Sequence, residues 1–249
     1  MAFKHFFLCL LLCLGILQIG NSSKLTKGGS HDIKKILVIG ATGQAGSRMV
    51  KEAVDRGLQV RTFSRNTSKL SEDVKDKVEA VAGDIQNYDD VQKAVKGVDA
   101  VIVAISPRSY EDTSKYMAKG VQNVVKAMKA ENVEIINVLL SVFTIMPVEE
   151  IPPFFRNAIE DQHAMLEALQ KSDLKYIASC PPNFITTSFD AYEAKIGGMP
   201  GGRNFNGGVN VISLNQLGKY FIDSLSEPRY YGKLVGVRNK VVHKQGVKA

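Results

Sequence analysis

Residues 34–57 read KKILVIGATGQAGSRMVKEAVDRG, and this stretch decides the fold. The apolar run at residues 36–39 is closed by Gly40, which is typical of a strand buried on both faces of a parallel sheet. Gly43 and Gly46 follow at regular intervals. Apolar residues then recur at helical spacing up to a glycine stop: Met49, Val50, Ala53, Val54 and Gly57. The sequence therefore predicts a strand, a glycine turn and a helix.

The three glycines of this turn fit a dinucleotide-binding unit. Gly40 allows the chain to reverse after the strand, Gly43 lets the backbone approach a pyrophosphate, and Gly46 allows the helix to pack closely on the sheet. The start of the helix would offer free N–H groups and the positive end of its dipole to the phosphates. Glycines also mark ordinary turns, but the strand–turn–helix context favours nucleotide binding.

The second predicted strand, residues 58–63, is followed by Arg65. An NAD-binding unit usually places Asp or Glu here, to accept a hydrogen bond from the ribose 2′-hydroxyl. A guanidinium can instead grip a 2′-phosphate with two hydrogen bonds, and Arg61 and Lys69 are close in the sequence. The pattern favours NADPH over NADH as the cofactor. The alternative is a surface arginine on a loop.

The rest of the chain alternates between strand and helix patterns. Further strands are predicted at 78–82, 99–105, 133–140, 174–179 and 233–237, and further helices at 88–96, 113–130, 151–171 and 213–225. This alternation predicts an α/β fold, with a doubly wound, mainly parallel Rossmann-type sheet in a single domain over residues 34–237.

Ligands bind at the carboxyl ends of the strands in this architecture. Asp84 and Ile85 follow the third predicted strand, where we expect an adenine pocket, and Arg108 follows the fourth. Asp84 could equally cap the next helix, and Arg108 could be a plain surface residue.

Residues 1–20 do not belong to this domain. Lys4 and His5 precede an apolar run at 6–19, which is short for a membrane span and typical of a signal-peptide core. An uncleaved anchor is the alternative. We interpret residues 21–33 as a flexible linker and residues 238–249 as a basic tail. We therefore expect a protein that is secreted or enters the secretory pathway.

Cysteine and charge content exclude several classes of function. Cys9 and Cys13 lie in the predicted signal, so the mature chain keeps Cys180 alone, and we expect a small core residue there rather than a disulfide framework. The formal net charge is +7, with scattered basic residues. The sequence shows no zinc-ligand spacing, helix-turn-helix or aromatic nucleic-acid platform. We expect neither metal nor nucleic acid as a ligand, and no membrane contact unless the N-terminal segment stays uncleaved.

Several segments together carry a family resemblance. They are GATGQAG (40–46), VRTFSRNTSKL (60–70), GDIQNYDDV (83–91), DAVIVAISPR (99–108), GVQNVVKAMKA (120–130), the isolated Ser141 and LKYIASCPPN (174–183). In this order they resemble the biliverdin IXβ reductase/flavin reductase (NADPH) family, which belongs to the atypical short-chain dehydrogenases close to the NmrA-like group. The resemblance covers about residues 34–231. It implies a monomer that uses NADPH to reduce a planar acceptor: a flavin, a tetrapyrrole such as biliverdin IXβ, or a quinone.

The resemblance also implies roles for individual residues. Those implied at the cofactor are Thr42, Gly43 and Gln44 at the pyrophosphate, Arg65 and Lys69 at the 2′-phosphate, Asp84 and Ile85 at the adenine, and Ile105 and Arg108 along the cleft. Ser141 would lie beside the nicotinamide and the substrate as the catalytic residue. Its alternative role is that of a strand-end serine that caps backbone groups.

One position departs from the family pattern. Asn183 stands at the substrate pocket where the mammalian enzyme has a histidine, and an amide cannot donate a proton as imidazolium can. This departure favours flavins over biliverdin as acceptors. His163 could in principle substitute, although we expect a structural or surface histidine.

The sequence also lacks the tyrosine–lysine pair that transfers a proton in the ordinary short-chain dehydrogenases. No tyrosine has a lysine four residues on, so the Tyr-x-x-x-Lys pair is absent. Hydride transfer to an activated ring depends mainly on positioning. The rival hypothesis is a secreted, non-catalytic NADP(H)-binding protein, such as a sensor, a pseudoenzyme or an extracellular matrix component.

Two N-glycosylation sequons bear on these hypotheses. One, Asn66-Thr67-Ser68, directly follows Arg65, and the other is Asn21-Ser22-Ser23. A glycan on Asn66 would crowd the 2′-phosphate site. We therefore expect either an unmodified Asn66 or weak NADPH binding by the secreted form.

Overall fold

The computed structural model describes residues 32–200 and 210–240, and strands and helices alternate along them. The strands are β1 Lys35–Ile39, β2 Gln59–Ser64, β3 Glu79–Ala82, β4 Ala100–Val103, β5 Ile135–Leu139, β6 Lys175–Cys180, β7 Asn183–Ile185, β8 Tyr192–Ile196, β9 Val211–Ser213 and β10 Lys233–Asn239. The α-helices are α1 Gln44–Asp55, α2 Tyr88–Val95, α3 Tyr116–Ala130, α4 Arg156–Gln170 and α5 Leu214–Ser224.

Eight of these strands form the central sheet, in the order β3-β2-β1-β4-β5-β6-β10-β8. All neighbouring pairs are parallel except β10 and β8, which are antiparallel at one edge. β7 and β9 form a separate parallel pair. The prediction of a doubly wound, mainly parallel Rossmann-type sheet is confirmed.

Helices cover both faces of the sheet, which explains the continuous apolar runs of its central strands. Ile36 and Val38 of β1 face a core cluster that includes the buried residues of α1 and α5. Leu37 and Ile39 face the opposite cluster, to which α2, α3 and α4 contribute. Cys180 is buried and free at the end of β6, and burial raises the pKa of its thiol. The prediction that Cys180 is a core residue is confirmed.

The central strands β1 and β4 are neighbours, although two strands lie between them in the sequence. The chain leaves β1 toward β2 and β3 on one side, then returns to continue from β4 on the other side. This reversal opens a crevice at the carboxyl ends of β1 and β4, which is where such sheets bind ligands.

The start of α3 is held by a buried carboxylate on α4. Lys115 adopts a left-handed conformation (φ 56°), and no side chain of its own segment caps the helix. Instead Asp161 accepts hydrogen bonds from the N–H groups of Met117 and Ala118, each at 2.9 Å. The helix therefore begins at Tyr116, later than the predicted start at residue 113.

Three short strands were not predicted. β7 and β9 have three residues each, too few to show a period of two. β8 lies antiparallel at the sheet edge, and its five residues are partly or fully exposed. The helix predicted from residue 151 instead begins with a 3₁₀ turn, Pro153–Phe155, before α4. These differences leave the order of the central strands unchanged.

The described residues include no helix that is long and apolar enough to cross a membrane. The predicted signal peptide and nearly all of the predicted linker lie outside the described residues, as do residues 201–209 and residues 241–249 of the predicted tail.

We predict that Asp161→Ala lowers the free energy of unfolding by about 2 kcal/mol or more, because two buried backbone N–H groups lose a charged acceptor. Chemical denaturation monitored by circular dichroism measures this change. Glu160→Ala is the matched control, since Glu160 is the exposed neighbour and pairs with Lys115 on the surface. Equal stability of the two variants would show that Asp161 does not hold the start of α3.

Candidate functional site

A cleft of about 710 Å³ lies at the carboxyl ends of β1, β2, β3 and β4. Its walls are the segments that follow these strands, together with the start of α3. The residues predicted at a cofactor that line it are Gly40, Thr42, Gly43, Arg65, Lys69, Ile85, Ile105 and Arg108. Gln44, Gly46 and Asp84 adjoin these segments without lining the cleft. The structure thus gathers most of the predicted cofactor residues at one place.

Backbone contacts shape the glycine turn between β1 and α1. Gly40 has a φ of +81°, and a Cβ there would overlap the carbonyl group of Ala104 after β4. A Cβ on Gly46 would overlap the carbonyl oxygen of Gly40. The sequence suggested that Gly46 packs on the sheet, whereas the structure shows it against the turn itself. Gly43 has more room, since its nearest such contact would be 3.3 Å.

The start of α1 has the features of an anion-binding site. Gly43 is the N-cap, no side chain caps the helix, and its first turn contains no acidic residue. The Gly43 N–H donates to the Gly40 carbonyl at 3.0 Å, which closes the turn. The first N–H groups of α1 are therefore available to an anion at the cleft wall.

Arg65 and Lys69 lie at the cleft edge after β2. Both side chains are exposed, and neither has an ion-pair or hydrogen-bond partner among residues 32–200 and 210–240. Asn66 lies between them in the sequence and also lines the cleft. The lining residues include no carboxylate. This wall can therefore bind an anionic group such as a phosphate.

Arg61, which is close to Arg65 in the sequence, does not line the cleft. Its side chain is buried and donates to the carbonyl oxygens of Ala94 at 2.8 Å and Lys96 at 2.6 Å, at the end of α2. Its Nε also lies 2.9 Å from Glu79. Hydrogen bonds from Lys35 and Arg61 lower the pKa of the Glu79 carboxyl. Arg61 thus fastens β2 to α2 and β3.

The cleft is also lined by Ile85, Arg108 and Tyr116. Ile85 is buried at the base, and the Arg108 guanidinium carbon lies 4.0 Å from the centre of the Tyr116 ring. Arg108 also approaches Asp84, with 3.9 Å between nitrogen and oxygen. These residues offer an apolar side chain and planar groups, which suit an aromatic base.

The alternative role of Asp84 as a helix cap is wrong. The N-cap of α2 is Asn87, whose side chain accepts from the N–H groups of Asp89 and Asp90. Asp84 accepts instead from the Gln86 N–H at 3.0 Å, within its own loop.

Ser141 does not line this cleft. It lies two residues after Leu139, the last residue of β5. Its hydroxyl oxygen accepts from the Phe143 N–H at 3.2 Å, so the alternative capping role is present. Its own N–H donates to Gln162 Oε1 at 2.7 Å, and the Thr144 hydroxyl donates to the same oxygen at 2.9 Å. Sequence reasoning missed Gln162, because nothing local links α4 to this turn. His163 is half-buried, and its Nε2 lies 3.3 Å from the Thr144 carbonyl oxygen, as expected of a structural histidine.

Asn183 is exposed at the start of β7. It lines a second, smaller cavity of about 150 Å³, together with Val142, Phe143, Met146, Pro182 and Asn210. Since Val142 and Phe143 directly follow Ser141, the two residues predicted at the substrate lie beside the same cavity. They do not line the large cleft.

Four aromatic side chains group between these two regions, and we call them the aromatic cluster: Tyr110, Phe143, Phe154 and Phe155. Ring centres are 4.9 Å apart for Tyr110 and Phe154, 5.1 Å for Tyr110 and Phe155, and 5.2 Å for the stacked Phe143 and Phe155. Phe154 is 62% exposed and Tyr110 is 41% exposed. The cluster connects the loop after Arg108 with the turn after Ser141. Sequence reasoning missed it, because its members come from three separate loops.

Comparison with known proteins agrees with this geometry. The NAD(P)H-binding family matches residues 40–228. A 3-beta-hydroxysteroid dehydrogenase from Mycolicibacterium neoaurum is 39% identical over 70 residues, which cover 28% of this chain and 19% of the relative. A photosystem II assembly factor from Cyanophora paradoxa is 32% identical over 101 residues, which cover 40% of this chain and 32% of the relative. The matched segments thus span less than half the length of these curated relatives.

Solved structures share the fold. A short-chain dehydrogenase/reductase (wide type) from Veillonella parvula, in complex with NADP, superimposes with a TM-score of 0.67 at 19% identity. The match covers 87% of this chain and 100% of that chain. At this identity the likeness supports the architecture alone.

We predict that Gly46→Ala destabilises the protein by about 2 kcal/mol, because the new methyl group meets rigid backbone at Gly40. This loss exceeds the gain of about 1 kcal/mol that alanine usually gives inside a helix. Denaturant unfolding measures the change. Gly198→Ala is the control, since its added Cβ would meet no atom within 4 Å. A Gly46→Ala variant as stable as the wild type would contradict the close approach.

Proposed function

Because the chain belongs to the NAD(P)H-binding family, we propose that it is an NADPH-dependent reductase of flavins or related planar acceptors. The observation that carries the cofactor preference is the pair of cations after β2, Arg65 and Lys69, which have no ion-pair or hydrogen-bond partner within the described part of the chain. A carboxylate at this place would favour the 2′-hydroxyl of NAD, whereas cations favour the 2′-phosphate of NADP.

The residues of the cleft fit this cofactor. The close contact between Gly40 and Ala104 keeps side chains out of the turn, which leaves backbone for a pyrophosphate. Thr42, Gly43 and the free N–H groups of α1 would hold the pyrophosphate. Ile85 and the Arg108–Tyr116 pair would flank the adenine.

The acceptor would lie between the cleft and the second cavity. NADPH supplies a hydride when bound. The aromatic cluster offers ring faces on which a planar acceptor can stack. Since Ser141 Oγ accepts a hydrogen bond from the backbone, its proton remains free for donation to an acceptor atom. Ser141 therefore orients the acceptor, and Gln162 fixes the turn that carries Ser141.

Proton supply separates flavins from other acceptors. The chain has no Tyr-x-x-x-Lys pair, and Asn183 cannot act as an acid. Water then supplies the proton, which suits flavins better than carbonyl substrates. The lack of an acid also favours a second candidate, a non-catalytic NADP(H)-binding protein.

We predict that the protein oxidises NADPH with FMN as acceptor, and that Arg65→Ala raises the KM for NADPH by about tenfold to a hundredfold, since a charged hydrogen bond is lost. The KM for NADH should change little. Absorbance at the NADPH band measures both. Lys171→Ala is the control, because it removes one positive charge at the far end of α4, where Lys171 pairs with Glu167.

Two outcomes would contradict this prediction. If Arg65→Ala changed the KM for NADPH and the KM for NADH equally, Arg65 would be a surface arginine that does not bind the 2′-phosphate. Retained NADP⁺ binding without turnover of FMN or biliverdin IXβ would favour the non-catalytic candidate.

We further predict that Phe154→Ala raises the KM for FMN about threefold to tenfold and leaves the KM for NADPH unchanged, because one exposed stacking face is lost. Steady-state kinetics with each substrate varied in turn test this. Val148→Ala is the control: Val148 is 61% exposed in the same segment but lies outside the aromatic cluster. An unchanged KM for FMN in Phe154→Ala would place the acceptor elsewhere.

A further inference from the structure

The sequon Asn66-Thr67-Ser68 begins at a residue that lines the proposed cofactor site, and it has no part in the proposed reaction. Asn66 lines the large cleft with Arg65 and Lys69, its neighbours on either side of the turn. The other sequon, Asn21-Ser22-Ser23, lies outside the described residues. An N-linked glycan is bulky and hydrophilic and requires a surface position.

The structure of this turn is compatible with a modified asparagine. Asn66 is exposed and caps the 3₁₀ turn Thr67–Lys69. Its Oδ1 accepts from the Ser68 N–H at 3.0 Å and from the Ser68 hydroxyl at 2.7 Å. Its Nδ2 has no hydrogen-bond partner within the described part of the chain. Since a glycan is attached through Nδ2, the Oδ1 contacts that hold the turn can persist after modification.

We propose that Asn66 is an N-glycosylation site, and that the glycosylated protein cannot hold NADPH. In this modification Nδ2 attacks C1 of an oligosaccharide carried on a lipid pyrophosphate. The N–C1 bond forms, the C1–O bond to the pyrophosphate breaks, and Nδ2 loses a proton. The proposal includes entry of the chain into the secretory pathway, as expected from residues 1–20.

The exclusion of NADPH follows from position and charge, and it rests on the proposed function. Arg65 and Lys69 would hold the 2′-phosphate, and Asn66 follows the first of them directly. A sugar on Nδ2 would occupy the space beside Arg65 and Lys69. Both cations would then stay hydrated instead of binding a phosphate. The 2′-phosphate then loses its charged hydrogen bonds. Glycosylation would therefore divide the protein into a cofactor-binding form and a cofactor-free form.

The test uses the full chain with Asn21→Gln, so that Asn66-Thr67-Ser68 is the remaining sequon of the two. This variant is produced in a glycosylating eukaryotic host and in a bacterial host without N-glycosylation. Mass mapping of the tryptic peptides reports occupancy of Asn66, and titration with NADP⁺ reports affinity. Ser68→Thr retains the sequon and Ser68→Ala removes it, which gives a matched pair in both hosts.

We expect Asn66 to be occupied in the eukaryotic material, with a Kd for NADP⁺ about tenfold or more above that of the bacterial protein. The difference should persist in Ser68→Thr and vanish in Ser68→Ala. An unoccupied Asn66 overturns the inference, as does an occupied form that binds NADP⁺ as tightly as the bacterial protein. Failure of the bacterial protein to bind NADP⁺ would instead overturn the proposed function, and with it the exclusion of NADPH.

Discussion

The structure depends on the contact between two stretches of backbone, the turn at Gly40 and the carbonyl of Ala104. This approach leaves no space for a side chain, so the ends of β1 and β4 meet directly at the reversal of strand order. Gly46 then rests on the Gly40 carbonyl, which fixes where α1 begins. The position of the cleft and the direction of the N–H groups beside it both follow from these contacts.

A second set of contacts links the helical layer to the other end of the site. Asp161 and Gln162 are consecutive residues of α4. Asp161 holds the first N–H groups of α3, while Gln162 holds the turn at Ser141. A single turn of α4 thus fixes two positions. One is that of Tyr116 at the edge of the cleft, and the other is that of the segment beside the smaller cavity. Packing between α3 and α4 is therefore coupled to the geometry of the candidate site.

Local patterns predicted the features that depend on local chemistry. Buried strands appear as apolar runs, and the turn at Gly40 has the spacing that its geometry requires. Arg65 could be placed because it follows a strand. By contrast, the cap by Asp161 joins residues 44 positions apart, and the aromatic cluster joins three loops, so neither leaves a local pattern. The role of Arg61 could not be predicted either, because the alternation of a strand does not reveal the carbonyl groups that its side chain reaches.

The large cleft is lined only by residues between Ile39 and Tyr116 among those described, whereas Ser141 and Asn183 lie in the later part of the chain. This division has an evolutionary consequence. If the large cleft holds the cofactor and the later loops hold the acceptor, as proposed, substitutions in the later loops can change the acceptor without altering the cofactor site. Among homologues, the sequence would then diverge slowly in the first half of the domain and faster around the second cavity.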